Sequence, residues 1–278
     1  MRRIFLVFLL SFGLAPIASA DPPNAHTAFV ERQALLEIDG RCHLLEAGPR
    51  TALQAGAAQA RGALLRAGWT LTRMNDLESA VRAAARERSC DDARTRAAAA
   101  EARGAYADWA TASVMDFPGL RRSWTARRTV GANGWRLSQT IDAPLAAVFG
   151  VREFSGPQQL ALIVPGEHAG GVQISLRDSA RASAASLDLT ARMAYGLEAG
   201  APALGAPARS FPATRRVERL MGRVQTVYIF PNEAFSALLQ LDPRESVVLR
   251  MAGPAPRTLY VEVGDVAAAR AFLTLRAD

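Results

Sequence analysis

"MDFPGL", Met115 to Leu120, divides the 278-residue chain into two kinds of sequence. Before it the chain is rich in alanine, and its apolar residues recur at helical spacing. After it β-branched and aromatic residues alternate with polar ones, and Gly and Pro punctuate the runs. This change of period predicts an α+β protein: an N-terminal small helical bundle over residues 21–118, followed over 119–278 by a mostly antiparallel β-sheet domain with helices packed on it. A β-sandwich with appended helices is the alternative arrangement.

Four helices are expected upstream. The first covers Thr27–Leu45 and bends near Gly40. Gly48-Pro49 restarts the chain, since proline suits a first helical turn. The second helix reaches Ala67, with Gly68 at its C-terminal end and a stripe of Leu53, Ala57, Ala60 and Leu64. Asn75 followed by Glu78 reads as a capping box for a third helix ending near Cys90. The fourth starts at Asp91 or Asp92, where carboxylates suit the helix dipole, and its apolar side is Ala102, Ala105, Tyr106 and Trp109.

Downstream, "SWTARR" and "GWRLSQTI" read as strands around a turn at Gly131–Gly134. "QLALIVP" and "GVQISLRD" read as a second pair joined by "GEHAG". "SLDLTARMAY" reads as a strand, and "GLEAGAPALGAPARSFP" (Gly196–Pro212) as a passive loop. "RVQTVYIF" is a strand leading into a helix over Asn232–Leu241, with Asn232 as N-cap. "SVVLRMA" and "RTLYVEV" form a hairpin across "GPAP", and Asp265 caps a last helix from Val266 to Leu275.

The N-terminus carries an export signal. Arg2 and Arg3 precede an apolar run, Ile4–Leu14, and Ala18-Ser19-Ala20 is a small-x-small cleavage site, so residues 1–20 are expected to be removed. The run is too short to span a bilayer, which takes ~20 residues, and no later stretch is long or apolar enough. A soluble periplasmic protein is expected. "RRIFL" has part of a twin-arginine pattern, but no lysine follows and the core is strongly apolar, which favours the general route.

Export bears on "GRCHLLEAG", Gly40–Gly48, where Cys42 stands beside His43. In an oxidising compartment the two cysteines, Cys42 and Cys90, are expected to form a disulfide. Zinc at a structural site takes four ligands, and the three histidines, His26, His43 and His168, are widely spaced. A free reactive thiol is the remaining alternative. Leu35, Ile38, Cys42 and Leu45 share an apolar stripe, with His43 at its flank.

All 33 basic residues are arginine. The absence of lysine excludes Schiff-base and pyridoxal chemistry, the phosphate-loop lysine and serine–lysine dyads. No cofactor is expected. The high isoelectric point follows from arginine's refusal to titrate, and an exported protein gives no reason to expect nucleic acid as a partner. The charge is uneven: Asp21–Pro118 holds 12 Arg against 13 acids, and Gly119–Asp278 holds 19 Arg against 13 acids.

No nucleophile elbow, His-Glu-x-x-His or Gly-x-Gly-x-x-Gly is present. "PGEHAGG" is the best catalytic candidate, since Glu167 could orient His168 as a general base on a turn between strands; a solvated turn is the plainer reading. Two arginine groups are candidates for anion binding, because guanidinium meets phosphate and carboxylate bidentately. One is Arg121, Arg122, Arg127 and Arg128. The other is Arg209, Arg215, Arg216, Arg219 and Arg223, of which Arg215 and Arg219 would share a face if "TRRVERLMGR" is helical, with Glu218 neutralising part of the group.

"RCHLLEAG", "ARGALLRAG" and "SC", then "FPG" shortly before "WTAR", resemble the arrangement in uncharacterised exported bacterial proteins with a two-cysteine helical N-terminal region. The resemblance covers about the first 140 residues and implies no activity. The expectation is a non-enzymatic envelope protein that binds an anionic envelope component or a protein partner. An envelope hydrolase using Glu167 and His168, and a helical adaptor docking a partner through its bundle, are the alternatives.

Overall fold

The structure is a computed structural model. It describes residues 25–131, 133–142, 145–153, 156–181 and 208–275. The expected signal peptide, the "SLDLTARMAY" strand and residues 196–207 of the expected loop lie outside these residues.

Four helices come first: α1 (Ala25–Cys42), α2 (Ala47–Arg66), α3 (Leu71–Arg86) and α4 (Ala93–Thr111). α1 ends at Cys42 rather than Leu45, and His43 takes a positive φ of 50° just past it. α2 ends in a Schellman motif: the Gly68 and Trp69 N–H groups donate to the Leu65 and Leu64 carbonyls at 3.0 and 3.1 Å. The expected Asn75–Glu78 box is not the start of α3. Thr70 is the N-cap, accepting from Arg73 N–H at 3.2 Å, and the helix therefore begins a turn earlier. Asp92 caps α4 through the Thr95 N–H.

The helical packing sets alanines against a few large apolar side chains. Phe29, Ala60, Leu64, Leu65 and Met74 form one buried cluster among α1, α2 and α3. Leu35 of α1, Leu45 of the α1–α2 connection and Ala99 of α4 form a second. On α4, Ala99, Ala102, Tyr106 and Trp109 turn inward, whereas Ala105 is exposed. Cys42 and Cys90 are joined in a disulfide, with a Cα–Cα distance of 5.6 Å. It ties the end of α1 to the segment between α3 and α4, where the apolar area available is modest.

Eleven strands follow among the described residues, all paired antiparallel. They are β1 (Val114–Pro118), β2 (Ser123–Arg127), β3 (Trp135–Ile141), β4 (Ala147–Arg152), β5 (Gln159–Pro165), β6 (Val172–Arg177), β7 (Ala208–Pro212), β8 (Thr214–Leu220), β9 (Arg223–Phe230), β10 (Ser246–Met251) and β11 (Arg257–Glu262). One helix, α5 (Asn232–Leu238), interrupts the strands, with Pro231 rather than Asn232 at its N-cap, and another, α6 (Val266–Thr274), follows them. The α+β class is as expected, but the strands divide between two sheets. The large one runs β1-β2-β3-β4-β5-β9-β8 and the small one β11-β10-β6-β7. Their facing sides share one core with Ala234 and Leu238 of α5 and five side chains of α6.

Three local expectations change. β5 and β6 are not a hairpin: β5 pairs with β4 and β9, and β6 with β10 and β7, so "GEHAG" crosses between sheets. "TRRVERL" is strand β8 rather than helix, because pairing with β9 along its whole length outweighs the helix propensity of Arg, Glu and Leu. Residues 208–212, expected to belong to a loop, pair with β6.

The opening stretch is where helices and sheets join. The Asp265 N–H donates to Pro118 O at 2.9 Å. Asp265 stands at the N-cap of α6, yet its carboxylate makes no capping bond; it takes a bidentate pair from Arg66 of α2, at 2.7 and 2.9 Å. Beside it, Glu262 Oε2 accepts from the Leu120, Arg121 and Arg122 N–H groups at 2.7, 2.8 and 3.0 Å. Gly119 is needed there, since a Cβ would lie 2.5 Å from Arg122 O and 2.6 Å from Glu262 Oε2.

Candidate anion-binding edge

The β5–β6 crossover lies against the end of the large sheet and is latched to it. Thr226 of β9, fully buried, donates through Oγ1 to Gly166 O and accepts from His168 N–H, both at 2.9 Å. The Tyr228 hydroxyl donates to Gly170 O at 2.9 Å. Burial holds that phenol's pKa above its ordinary value, against the pull of Arg215.

This latch brings together two groups that are far apart in sequence. Arg215 of β8 donates through Nε to His168 O, and its Nη2 is 3.6 Å from Glu167 Oε1. Glu167 and His168 do not form the base–orienter pair considered from sequence. The His168 ring lies 3.0 Å from Pro165 O, and Glu167 turns to Arg215 with its side chain 70% exposed.

The other β8 arginines divide by face, because successive strand residues point to opposite sides. Arg215, Val217 and Arg219 share one face, opposite Tyr228, Thr226 and Val224 of β9. Arg216 and Glu218 share the other. Glu218 accepts from Arg152 at 2.8 Å and pairs with Arg216 at 2.6 Å. Burial pushes the Glu218 carboxyl up, but the bond from Arg152 and the charges of Arg152 and Arg216 outweigh it, so its pKa is lowered. Arg152 is on β4, three strands from β8. The sheet must therefore coil to bring the two together, closing over a second apolar cluster of Trp135, Ala161, Ile163 and Val227.

β8 is an edge strand. Leu220 and Arg223 flank a two-residue turn, Met221-Gly222, with φ of 49° and 78°. Positive φ at both positions is the type I′ geometry that matches strand twist. Arg219 and Arg223 stand on either side of the turn, are exposed, and make no ion pair among the described residues. Arg209 of β7 is exposed too, its guanidinium 5.1 Å from the Phe211 ring centroid.

The first arginine group is not brought together. Arg121 and Arg122 lie at the β1–β2 turn, and Arg127 and Arg128 at the far end of β2, roughly 17 Å of extended chain away. Arg122 donates to Tyr260 O at 3.1 Å. Arg128 closes two helix ends, donating to Phe272 O of α6 at 3.1 Å and to Ala110 O of α4, over the Phe272 ring. Burial lowers its pKa from the ordinary arginine value. A cation among C-terminal carbonyls is a structural device.

Among the described residues no three His, Cys, Asp or Glu side chains are grouped to hold a metal, and no helix is long and apolar enough to cross a membrane. The chain matches no family model, no curated protein and no solved structure. Sequence reading missed the Arg152–Glu218 closure and the turn at Met221. Neither has a local signal, since the first joins strands with two others between them and the second lacks the Asn-Gly or Asp-Gly of a standard tight turn.

Proposed function

We propose that the chain is a non-enzymatic, exported envelope protein that binds an anionic component through the β8 edge. The observation that supports this most is the gathering of Arg215, Arg216, Arg219 and Arg223 on one edge strand and its turn, against the acids Glu218 and Glu167. Arg215 and Arg216 are already engaged, which leaves Arg219 and Arg223 to meet a ligand. The disulfide and the lack of a long apolar helix among the described residues are compatible with export.

Calorimetric titration with inorganic polyphosphate tests the reading. Affinity is expected to fall steeply between low salt and ~0.3 M, because exposed charges are screened beyond a Debye length of roughly 6 Å at that strength. Changing Arg219 and Arg223 to Gln together is expected to abolish it. Binding that ignores both salt and the double substitution refutes the assignment.

A second reading, docking of a protein partner by the helices, has one observation in its favour. A cleft of about 550 Å³ is lined by α1, α2 and Glu78 of α3, with apolar Phe29, Leu36 and Ala57 beside charged Arg50, Arg61 and Glu78. Its charged groups are paired, Arg50 with Asp39, Arg61 with Glu78, and Glu37 with Arg82 outside the cleft. Binding there would persist in salt and survive the two β8 substitutions.

A further inference from the structure

The turn between β8 and β9 holds a residue that local chemistry disfavours. A type I′ turn needs φ > 0 at both central positions, and Asn, Asp or Gly meets that need at least cost. Here the first position is Met221, with φ 49° and 83% exposure. A bulky side chain in the left-handed region is strained. An exposed methionine also gains nothing from burial. The chain therefore accepts a poorer turn in order to present an apolar side chain at its tip.

The surroundings of the tip are consistent in kind. Arg219, opposite Val224, lies on one face of the hairpin, and Arg223, opposite Leu220, on the other. The hairpin also runs past its neighbour: β9 has its last partner on β5 at Gln225, opposite Pro165. Val217, 42% exposed, stands behind the tip on the Arg219 face. An apolar point thus projects between two guanidiniums that make no ion pair among the described residues.

We propose that this tip docks on an anionic bilayer surface, with Met221 entering the apolar layer while Arg219 and Arg223 meet lipid phosphates. The proposal rests on the anion-binding reading above and names its ligand. An acidic peptide would satisfy the arginines but gives no use for a strained methionine at the point of the turn. A second copy would bring Arg219 and Arg223 against their own kind. A bilayer interface uses both features, since apolar burial and basic residues near the surface each add to attachment. One methionine and two arginines give weak, reversible attachment.

The experiment uses the full chain with vesicles of phosphatidylglycerol and phosphatidylcholine, vesicles of phosphatidylcholine alone, and inorganic polyphosphate. Co-sedimentation is expected with the anionic vesicles only. Met221→Asn is the deciding variant, because asparagine suits the turn. Its melting temperature is expected to hold or rise while its vesicle affinity falls about tenfold. Arg219→Gln and Arg223→Gln are each expected to cost about fivefold. In Met221→Trp, the added indole emission is expected to shift to the blue with anionic vesicles and not with polyphosphate. Unchanged vesicle affinity in Met221→Asn overturns the proposal, and so does a lowered melting temperature, which would give Met221 a folding role. Polyphosphate binding without vesicle binding overturns it and leaves the anion reading standing; loss of both overturns the two together. Capture of a poly-glutamate peptide while vesicles are ignored assigns the edge to an acidic chain instead.

Discussion

Replacing Glu262 by alanine should unfasten the turn between β1 and β2 from β11. Its carboxylate, on a residue only 6% exposed, takes three backbone N–H groups on one oxygen, from Leu120, Arg121 and Arg122. A hydrogen bond to a charged group contributes ~1.5–3 kcal/mol when its loss leaves a buried partner. Arg121 is exposed and its two neighbours are half-buried, so water can replace part of what is lost. About 1 kcal/mol per bond is the sensible figure, or about 3 kcal/mol in all. The strand itself should stay in place, because Gln139 clasps the Glu262 backbone from both sides, donating to its carbonyl at 3.1 Å and accepting from its N–H at 2.8 Å. Glu262→Gln keeps the shape and an acceptor oxygen but loses the charge. Since a charge-assisted bond is roughly twice as strong as a neutral one, it should cost about half as much. Urea unfolding reads both variants, with Trp124 fluorescence as a local reporter, since the indole N–H donates to the Glu262 and Val263 carbonyls. The slope with denaturant should not change. Equal losses in the two variants, or a loss below about 0.5 kcal/mol in Glu262→Ala, would refute the argument that the charge holds the loop.

Two other outcomes follow from the helical region. Removing the disulfide by Cys42→Ser with Cys90→Ser should cost about 4 kcal/mol, the loop-closure value for a separation of 48 residues. Urea unfolding with a change below about 1 kcal/mol would mean that helix packing alone holds α1 against α3. Asp39 should give an acid-side dependence. Burial pushes its carboxyl up, but bonds from Arg50 at 2.5 Å and the Leu45 N–H at 2.7 Å outweigh it, and its folded pKa lies below the ordinary 3.8. A lowered pKa means that the unfolded chain binds the proton more readily. The stability Asp39 supplies is therefore whole above the unfolded pKa and is lost as the pH falls through the folded one. Thermal melts from pH 6 down to pH 2 should show Asp39→Asn less stable than the parent at the upper end and converging with it at the lower.

Much of the fold could be read where the cause is local. Gly68 after an alanine-rich run, Asp92 before another, and alternation in "WRLSQTI" each express one element's own chemistry, and those elements stand where expected. Two cysteines in a chain expected to be exported were enough to expect their bond. Errors came where a distant partner decides. Asn75 and Glu78 have the spacing of a capping box, but Thr70 starts α3 a turn earlier. Asp265 has the place of a cap and gives its carboxylate to Arg66, 199 residues away in sequence. "QLALIVP" and "GVQISLRD" look like a hairpin because each alternates and a short polar turn joins them. Nothing within them says that the turn crosses between sheets, since both kinds of connection need the same residues.

The candidate site shows the same division more sharply. Arginine spacing marked two groups and gave the shape of neither. A strand places Arg215 and Arg219 on one face and Arg216 with Glu218 on the other, whereas the helical reading put Arg215 with Arg219 for a different reason. Strand alternation then decides which charges are spent. Glu218 faces Arg152 across the coiled sheet and takes Arg216 with it, and Glu167 reaches Arg215 only because Thr226 fixes the crossover. The two arginines left over are those beside the turn, which make no ion pair among the described residues. That is a property of the sheet's edge and not of the charge count. A ligand at this edge therefore depends on β8 staying a strand. A proline at Glu218, whose N–H faces β9, should remove anion binding along with the pairing. A proline at Val217, whose N–H faces away from β9, should leave both in place, and parallel titrations of the two variants with polyphosphate separate strand geometry from mere proximity of charge.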